Sequence, residues 1–211
     1  MADICPTVTA FDTHQYREQM ELLEPFAKRI HIDLMDGIFA PTVSPPLETI
    51  WWPENIVADM HIMYQKPMPH LEQLIKLRPH LVVIQYEAEL DHAAFAAKLQ
   101  AAGIKAGLGL LQKTTVEEVV PLLAHFDHVM IFSGNLGHHG STADLGLLEK
   151  VRQVREQFPD MEIAWDGGIT DQNARQLVEG GVDVLNVGGF IHKAASPQQA
   201  YAKLETVVKS L

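Results

Sequence analysis

Apolar runs of strand length alternate with amphipathic segments of helical period along the chain, and this alternation predicts its fold. Strands are predicted at residues 3–9, 29–36, 56–63, 80–88, 105–111, 128–134, 162–168 and 184–191. Helices are predicted at residues 14–26, 67–77, 92–103, 114–126, 143–158, 170–181 and 196–211, and the segment 45–53 is weakly helical at best. Pro121 is expected to kink or shorten the helix that contains it.

Eight successive strand–helix units predict a parallel sheet, because parallel strands need a crossover connection of this kind. Eight units in 211 residues are typical of an α/β fold, a single (β/α)8 TIM barrel, and we expect residues 1–211 to form one domain. An open doubly wound sheet is the alternative. It is disfavoured because no GxGxxG motif follows the first strand.

Composition narrows the class of protein and its partners. A hydrophobic share of 47% with 20% charged residues is typical of a globular protein rather than a disordered one. The formal net charge of −11 argues against a nucleic-acid partner, since such modules present a basic patch. The single cysteine, Cys5, excludes an internal disulfide and suits a reducing compartment. No signal-peptide pattern and no apolar run of roughly 18 residues is found, so we expect a cytoplasmic protein with no membrane partner.

Histidines and aspartates fall near the carboxyl ends of three predicted strands, where TIM barrels carry their catalytic residues. His31 and Asp33 share one face of the second strand, His61 ends the third, and Asp166 ends the seventh. Two imidazoles and two carboxylates form a mixed site suited to zinc, iron, manganese or cobalt. Taken singly, His61 is equally well explained as a core histidine, and Asp166 as the cap of a turn. Their convergence on one barrel mouth favours a metal site, whereas Asp36 is expected to orient the loop after the second strand.

Two glycine pairs give a second signal. Gly167 and Gly168 follow the seventh strand, and Gly188 and Gly189 lie at the end of the eighth. In TIM barrels the loops after these two strands often bind a phosphate through backbone N–H groups. Each pair alone is also explained as an ordinary turn, but together they favour a phosphorylated substrate.

Six short motifs occur along the chain in the order CPTVTAFD, HIDLMDGIFAP, DMHIM, YEA, WDGGI and NVGGFI. Together they resemble the ribulose-phosphate 3-epimerase family, and the resemblance covers nearly the whole chain. The second motif follows the family signature H-x-D-x-M-D-G-x-F-x-P and is the most specific match. In the first motif, Thr7 stands where the family usually has serine.

The resemblance implies a metal-dependent 3-epimerase of a ketose phosphate, which interconverts D-ribulose 5-phosphate and D-xylulose 5-phosphate in the pentose phosphate pathway. It implies one divalent metal ion (Zn, Fe, Mn or Co) bound by His31, Asp33, His61 and Asp166. Asp33 and Asp166 would also be the acid and base on opposite faces of C3. The substrate-binding residues it implies are Thr7, Met35, Met63, Ser133, Gly137, Gly140, Ser141, Gly167, Gly168, Gly188 and Gly189. Met35 and Met63 are equally well explained as core residues.

The chain departs from the family around the substrate rather than around the metal. The loop SGNLGHHGS (133–141) replaces a family loop of the form S-x-N-P-G-F-G-G-Q, so that His138 and His139 stand where Phe-Gly is usual. These histidines either contact the substrate or are solvated loop residues. Phe132 and Gln85 also replace a usual methionine and histidine. These changes bear on which sugar phosphate is bound rather than on the type of reaction.

Three further possibilities stay open from the sequence. An epimerase of a hexulose 6-phosphate differs only in substrate, whereas a non-catalytic phosphosugar-binding paralogue would not be expected to keep all four ligands. A decarboxylase or aldolase of related barrels is disfavoured because HIDLMDGIF lacks a lysine. We expect a homo-oligomer, and Trp51 and Trp52 fit either an interface or core packing.

Overall fold

The computed structural model describes residues 2–138 and 140–209 and confirms the predicted (β/α)8 barrel. Its eight parallel strands close in chain order: β1 (Asp3–Thr9), β2 (Arg29–Met35), β3 (Val57–Met63), β4 (Leu81–Gln85), β5 (Lys105–Leu110), β6 (His128–Phe132), β7 (Glu162–Asp166) and β8 (Val184–Val187). The α-helices in these residues are α1 (Thr13–Leu23), α2 (Leu71–Leu77), α3 (His92–Ala101), α4 (Val116–Leu123), α5 (Leu148–Gln157), α6 (Ala174–Glu179), α7 (Gly189–His192) and α8 (Pro197–Lys209).

The largest difference from the predicted elements lies between β2 and β3. The weakly helical segment 45–53 contains only a 3₁₀ turn, Leu47–Thr49, because prolines precede and follow it. Strand ends were predicted too long on β4, β6, β7 and β8. At β7 the reason is local, since Gly167 and Gly168 have φ of +111° and +71° and cannot continue an extended strand. Pro121 lies inside α4, which ends two residues later.

Alternation along the strands divides the core into two parts. On β2, Ile30, Ile32 and Leu34 are buried in the large apolar cluster between the barrel and the helices. The barrel interior contains a smaller apolar cluster that includes Cys5, Val83 and Met130. Burial raises the pKa of the Cys5 thiol, which fits the role of a buried hydrophobe. This apolar interior separates the two ends of the barrel.

An ionic network centred on the buried Arg29 occupies the amino-terminal end of the barrel. The Arg29 guanidinium donates to Asp59 Oδ2 at 2.7 Å, to Asp3 Oδ2 at 3.2 Å and to both carboxylate oxygens of Glu162 at 3.0–3.1 Å. Glu162 Oε2 also lies 2.8 Å from His128 Nδ1. Five of the eight strands are therefore joined by charged side chains at this end.

Two further expectations concern surfaces. Trp51 is 42% exposed and packs edge-on against Tyr16, whose hydroxyl donates to the Trp51 carbonyl, whereas Trp52 is partly buried against the core. Both interpretations of the tryptophan pair therefore stay open. None of the helices in the described residues is long and apolar enough to cross a bilayer.

Candidate active site

Four ionisable side chains meet inside the carboxyl-terminal end of the barrel. They are His31, Asp33, His61 and Asp166, and one ligand atom from each lies within 4.8 Å of the others. The Nδ1 atom of His61 is 3.0 Å from Asp33 Oδ1 and 3.9 Å from Asp166 Oδ2. The Nε2 atom of His31 is 3.5 Å from Asp33 Oδ1 and 3.6 Å from Asp166 Oδ2. The register places Asp33 directly beside His61 on adjacent strands.

The two carboxylates have opposite electrostatic environments. Burial acts to raise the pKa of Asp33, but the nearby imidazoles of His31 and His61 outweigh it and hold that pKa well below its usual range. Burial and the nearby charge of Asp33 raise the pKa of Asp166. Without a bound metal ion, these shifts favour one ionised and one protonated carboxyl group.

The donor set fits a divalent metal ion. His31 Nε2 is buried and has no hydrogen-bond partner within the described part of the chain. A buried polar atom left in this state is costly, and coordination would satisfy it. Two imidazole nitrogens and two carboxylate oxygens within 4.8 Å of one another suit zinc, iron, manganese or cobalt without selecting among them.

Thr9 is a member of the site that the sequence patterns did not reveal. Its Oγ1 donates a short hydrogen bond of 2.5 Å to Asp33 Oδ2, and the register of β1 and β2 places the two residues side by side. The end of β1 is in turn held by Gln19 of α1, which bonds both the N–H and the carbonyl of Thr9. The only sequence signal was that Thr9 lies two residues after Thr7, on the same strand face.

Gln85 makes the second contact that was not foreseen. It is fully buried at the end of β4, and its Nε2 lies 2.8 Å from His61 Nε2. Its Oε1 has no partner among the residues described. The sequence identified this position only as a departure from the family histidine.

A cavity of about 150 Å³ opens at Asp33 and Asp166. Most of the predicted substrate-binding residues line it: Thr7, Met63, Gly137, Gly140, Ser141, Gly167, Gly168, Gly188 and Gly189. The structure does not place Met35 or Ser133 in this wall. Met35 Sδ accepts from the Thr42 hydroxyl, and Ser133 Oγ accepts from the Asp144 N–H at 2.7 Å. Residues that were not foreseen also line the cavity, among them Asn186 and Lys193.

The glycines of the cavity wall allow close approach of backbone segments. A β-carbon on Gly167 would lie 2.3 Å from Gly134 N, and one on Gly168 would lie 2.0 Å from Ala143 N. Gly140 approaches Lys193, whose Nζ would be 2.6 Å from an added β-carbon. The loop after β6 therefore packs directly on the loops after β7 and β8.

The altered loop 133–141 forms part of the same wall. Asn135 and His138 form an isolated bridge, and the exposed His138 lines the cavity. Thr42 Oγ1 donates to the Gly137 carbonyl at 3.3 Å and so links this loop to the one after β2. The prediction for His139 lies outside the described residues. Asp36, expected to orient the loop after β2, accepts from the N–H groups of Ile38 and Phe39.

Comparisons with known proteins agree with the motifs. The model of the ribulose-phosphate 3-epimerase family matches residues 3–192. Ribulose-phosphate 3-epimerase of Mycobacterium tuberculosis is 29% identical over 208 residues, which cover 95% of this chain and 90% of that protein. The cytoplasmic isoform from Oryza sativa is 26% identical, covering 99% of this chain and 95% of that one. The solved structure of KGPDC from Streptococcus mutans has a TM-score of 0.76, 11% identity and coverage of 100% and 98%, a likeness of fold alone.

Proposed function

Because this chain belongs to the ribulose-phosphate 3-epimerase family, we propose that it is an isomerase that interconverts D-ribulose 5-phosphate and D-xylulose 5-phosphate. The observation that carries the proposal is the pair of buried carboxyl groups, Asp33 and Asp166, at one cavity with opposite pKa shifts. Two titratable groups pushed apart in pKa are the usual signature of an acid and base pair.

The chemistry of inversion at C3 needs both groups. In one direction, ionised Asp33 would remove the proton from C3, and protonated Asp166 would deliver a proton to the opposite face. Asp33 would then be protonated and Asp166 ionised, ready for the reverse reaction. The hydrogen bond from Thr9 would hold Asp33 ionised and correctly oriented for the removal.

The metal ion of this proposal would be held by His31, Asp33, His61 and Asp166. When bound, a divalent ion supplies a Lewis acid that stabilises the negative charge developing on the substrate oxygens next to C3. The orphaned Nε2 of His31 and the mixed donor set support this, and zinc, iron, manganese and cobalt are all consistent with it.

The phosphate group of the substrate would lie at the glycine-rich side of the cavity. Gly167, Gly168, Gly188 and Gly189 line it and allow backbone N–H groups to approach an anion. Lys193 adds a positive charge at the same wall, and the exposed His138 borders the cavity from the altered loop. Because that loop differs from the family, an epimerase of a hexulose 6-phosphate is the second candidate.

Deuterium exchange at C3 tests the assignment of Asp33. Asp33→Asn should slow exchange from D2O into ribulose 5-phosphate by about 100- to 10,000-fold, the usual contribution of a positioned acid or base. Asp160→Asn, which changes an exposed carboxylate, should exchange at the wild-type rate. Metal content is measured for each variant, because Asp33 is also a proposed ligand. Exchange retained in Asp33→Asn would contradict the proposal.

Substrate identity, assembly and location need separate measurements. Comparing kcat/KM over a panel of pentulose and hexulose phosphates distinguishes the two candidate substrates. We also propose a homo-oligomer, to be tested by light scattering. A cytoplasmic location is supported by the name of the Oryza sativa relative, and fractionation of cells tests it.

A further inference from the structure

Gln85 is a polar side chain in a part of the barrel interior where an apolar one would be expected. It is fully buried, and the same face of its strand continues below it with the buried apolar side chains of Val83 and Leu81. Gly109, its register partner on β5, leaves the space for it, since a β-carbon there would lie 2.8 Å from Gln85 Oε1. Burial of an amide is costly without partners, so its single contact with His61 requires an explanation.

In the orientation that the structure shows, the Gln85 amide pairs with one tautomer of His61. In the structure the Nε2 amide group of Gln85 faces His61 Nε2, so this nitrogen accepts, and the proton lies on Nδ1, which donates to Asp33 Oδ1 at 3.0 Å. Nδ1 is also the atom that faces the carboxylates of the proposed metal site. A ligating Nδ1 must offer its lone pair, and the ring proton then lies on Nε2.

An amide can serve both forms of the ring. A half-turn of the Gln85 amide exchanges its N–H group for its oxygen and keeps nearly the same shape. The outward amide atom has no partner among the described residues, so those neighbours do not hold one orientation. The orientation of the Gln85 amide and the tautomer of His61 are therefore coupled, so that a change in one requires a change in the other.

We propose that Gln85 is a positioning residue for His61. Its amide donates to His61 Nε2 when Nδ1 bonds Asp33, and it accepts from Nε2 when Nδ1 ligates the metal ion. This inference rests on the metal site of the proposed function. An ionised glutamate at position 85 could only accept, and methionine, similar in volume, cannot donate and accepts only weakly. Partners that orient a ligating histidine typically contribute 10- to 100-fold in metal affinity.

Metal affinity of the whole protein tests this without an activity assay. The affinities for zinc and manganese, measured by competition with a chelating dye, should weaken about 10- to 100-fold in Gln85→Met. In Gln85→Glu they should stay within about threefold of wild type or tighten. Gln153→Met on α5 is the matched control and should bind as wild type does. Wild-type affinity in Gln85→Met, or equal losses in both variants, would overturn the inference.

The position of the His61 ring proton gives a spectroscopic readout. It would not depend on Gln85 if that residue only filled space in the core. Long-range ¹⁵N–¹H correlation should place the ring proton on Nδ1 before zinc is added and on Nε2 afterwards. Persistence of the Nδ1 proton in the zinc-bound protein would overturn the inference and would remove His61 from the proposed ligand set, although zinc is bound. Failure of the wild-type protein to bind any divalent ion would instead overturn the metal site, and this inference with it.

Discussion

Replacing Thr9 with valine removes one donor from Asp33 and changes the shape of the side chain very little. Thr9 Oγ1 is buried and donates to Asp33 Oδ2 at 2.5 Å, a distance typical of a strong bond to an ionised carboxylate. Gln19 bonds the Thr9 backbone and not its hydroxyl, so the end of β1 keeps its support in the variant. The change therefore tests the hydroxyl alone.

The size of the effect follows from the charge of the acceptor. A hydrogen bond to a charged group contributes about 1.5–3 kcal/mol, and at 1.36 kcal/mol per factor of ten this is about 10- to 150-fold. The loss should appear in kcat/KM for epimerisation. Without its donor the Asp33 carboxylate is also less well stabilised, so its pKa should move up toward the usual range.

Epimerisation of ribulose 5-phosphate and C3 deuterium exchange are measured for Thr9→Val, Thr9→Ser and Thr206→Val. Thr9→Ser retains the hydroxyl, so its kcat/KM should stay within about threefold of wild type. Thr206 is an exposed residue of α8, and Thr206→Val should have no effect on kcat/KM. Thermal unfolding of each variant separates lost activity from lost folding. An unchanged kcat/KM in folded Thr9→Val would refute the idea that this bond supports the reaction.

Two other predictions concern charges away from Asp33. Burial acts to raise the pKa of Glu162, but bonds from His128 and Arg29 outweigh it and lower that pKa below its ordinary value of 4.5. A lowered pKa stabilises the fold above the ordinary value, so Glu162→Gln should lower the Tm at pH 7, and the difference should shrink as pH falls below 4.5; a difference independent of pH would contradict this. Lys193→Met should raise KM for the sugar phosphate several-fold with kcat nearly unchanged, because Lys193 lines the cavity; an unchanged KM would remove it from the phosphate site.

The fold was predictable because, in every unit but one, the spacing of apolar residues changes from the period of a strand to that of a helix. The exception, 45–53, has prolines at both ends, and its structure depends on packing rather than on periodicity. Strand ends were less predictable because a strand stops where its neighbours stop. The end of β8 at Val187, four residues earlier than expected, reflects a helical turn that begins at Gly189.

The cluster of four candidate metal ligands was predictable because its members are rare residue types in apolar runs. His31 and Asp33 share one strand, and the barrel brings His61 and Asp166 to the same end. The partners of these residues were not predictable, because Gln85 meets His61 through the positions of two strands and the rotamers of both side chains. A threonine or glutamine in a strand is too common for its type alone to indicate such a contact.

The ionic network at the other end of the barrel has a consequence for how the chain reaches its final state. Arg29 and Glu162 are 133 residues apart in sequence, so their bond forms only after both halves of the chain have met. Until β7 is in place, a nearly closed barrel would enclose the Arg29 charge without one of its main partners, which is costly. Collapse of a nascent chain that does not yet include Glu162 is therefore energetically unfavourable. We therefore expect the network to favour closure of the whole ring over partially closed barrels.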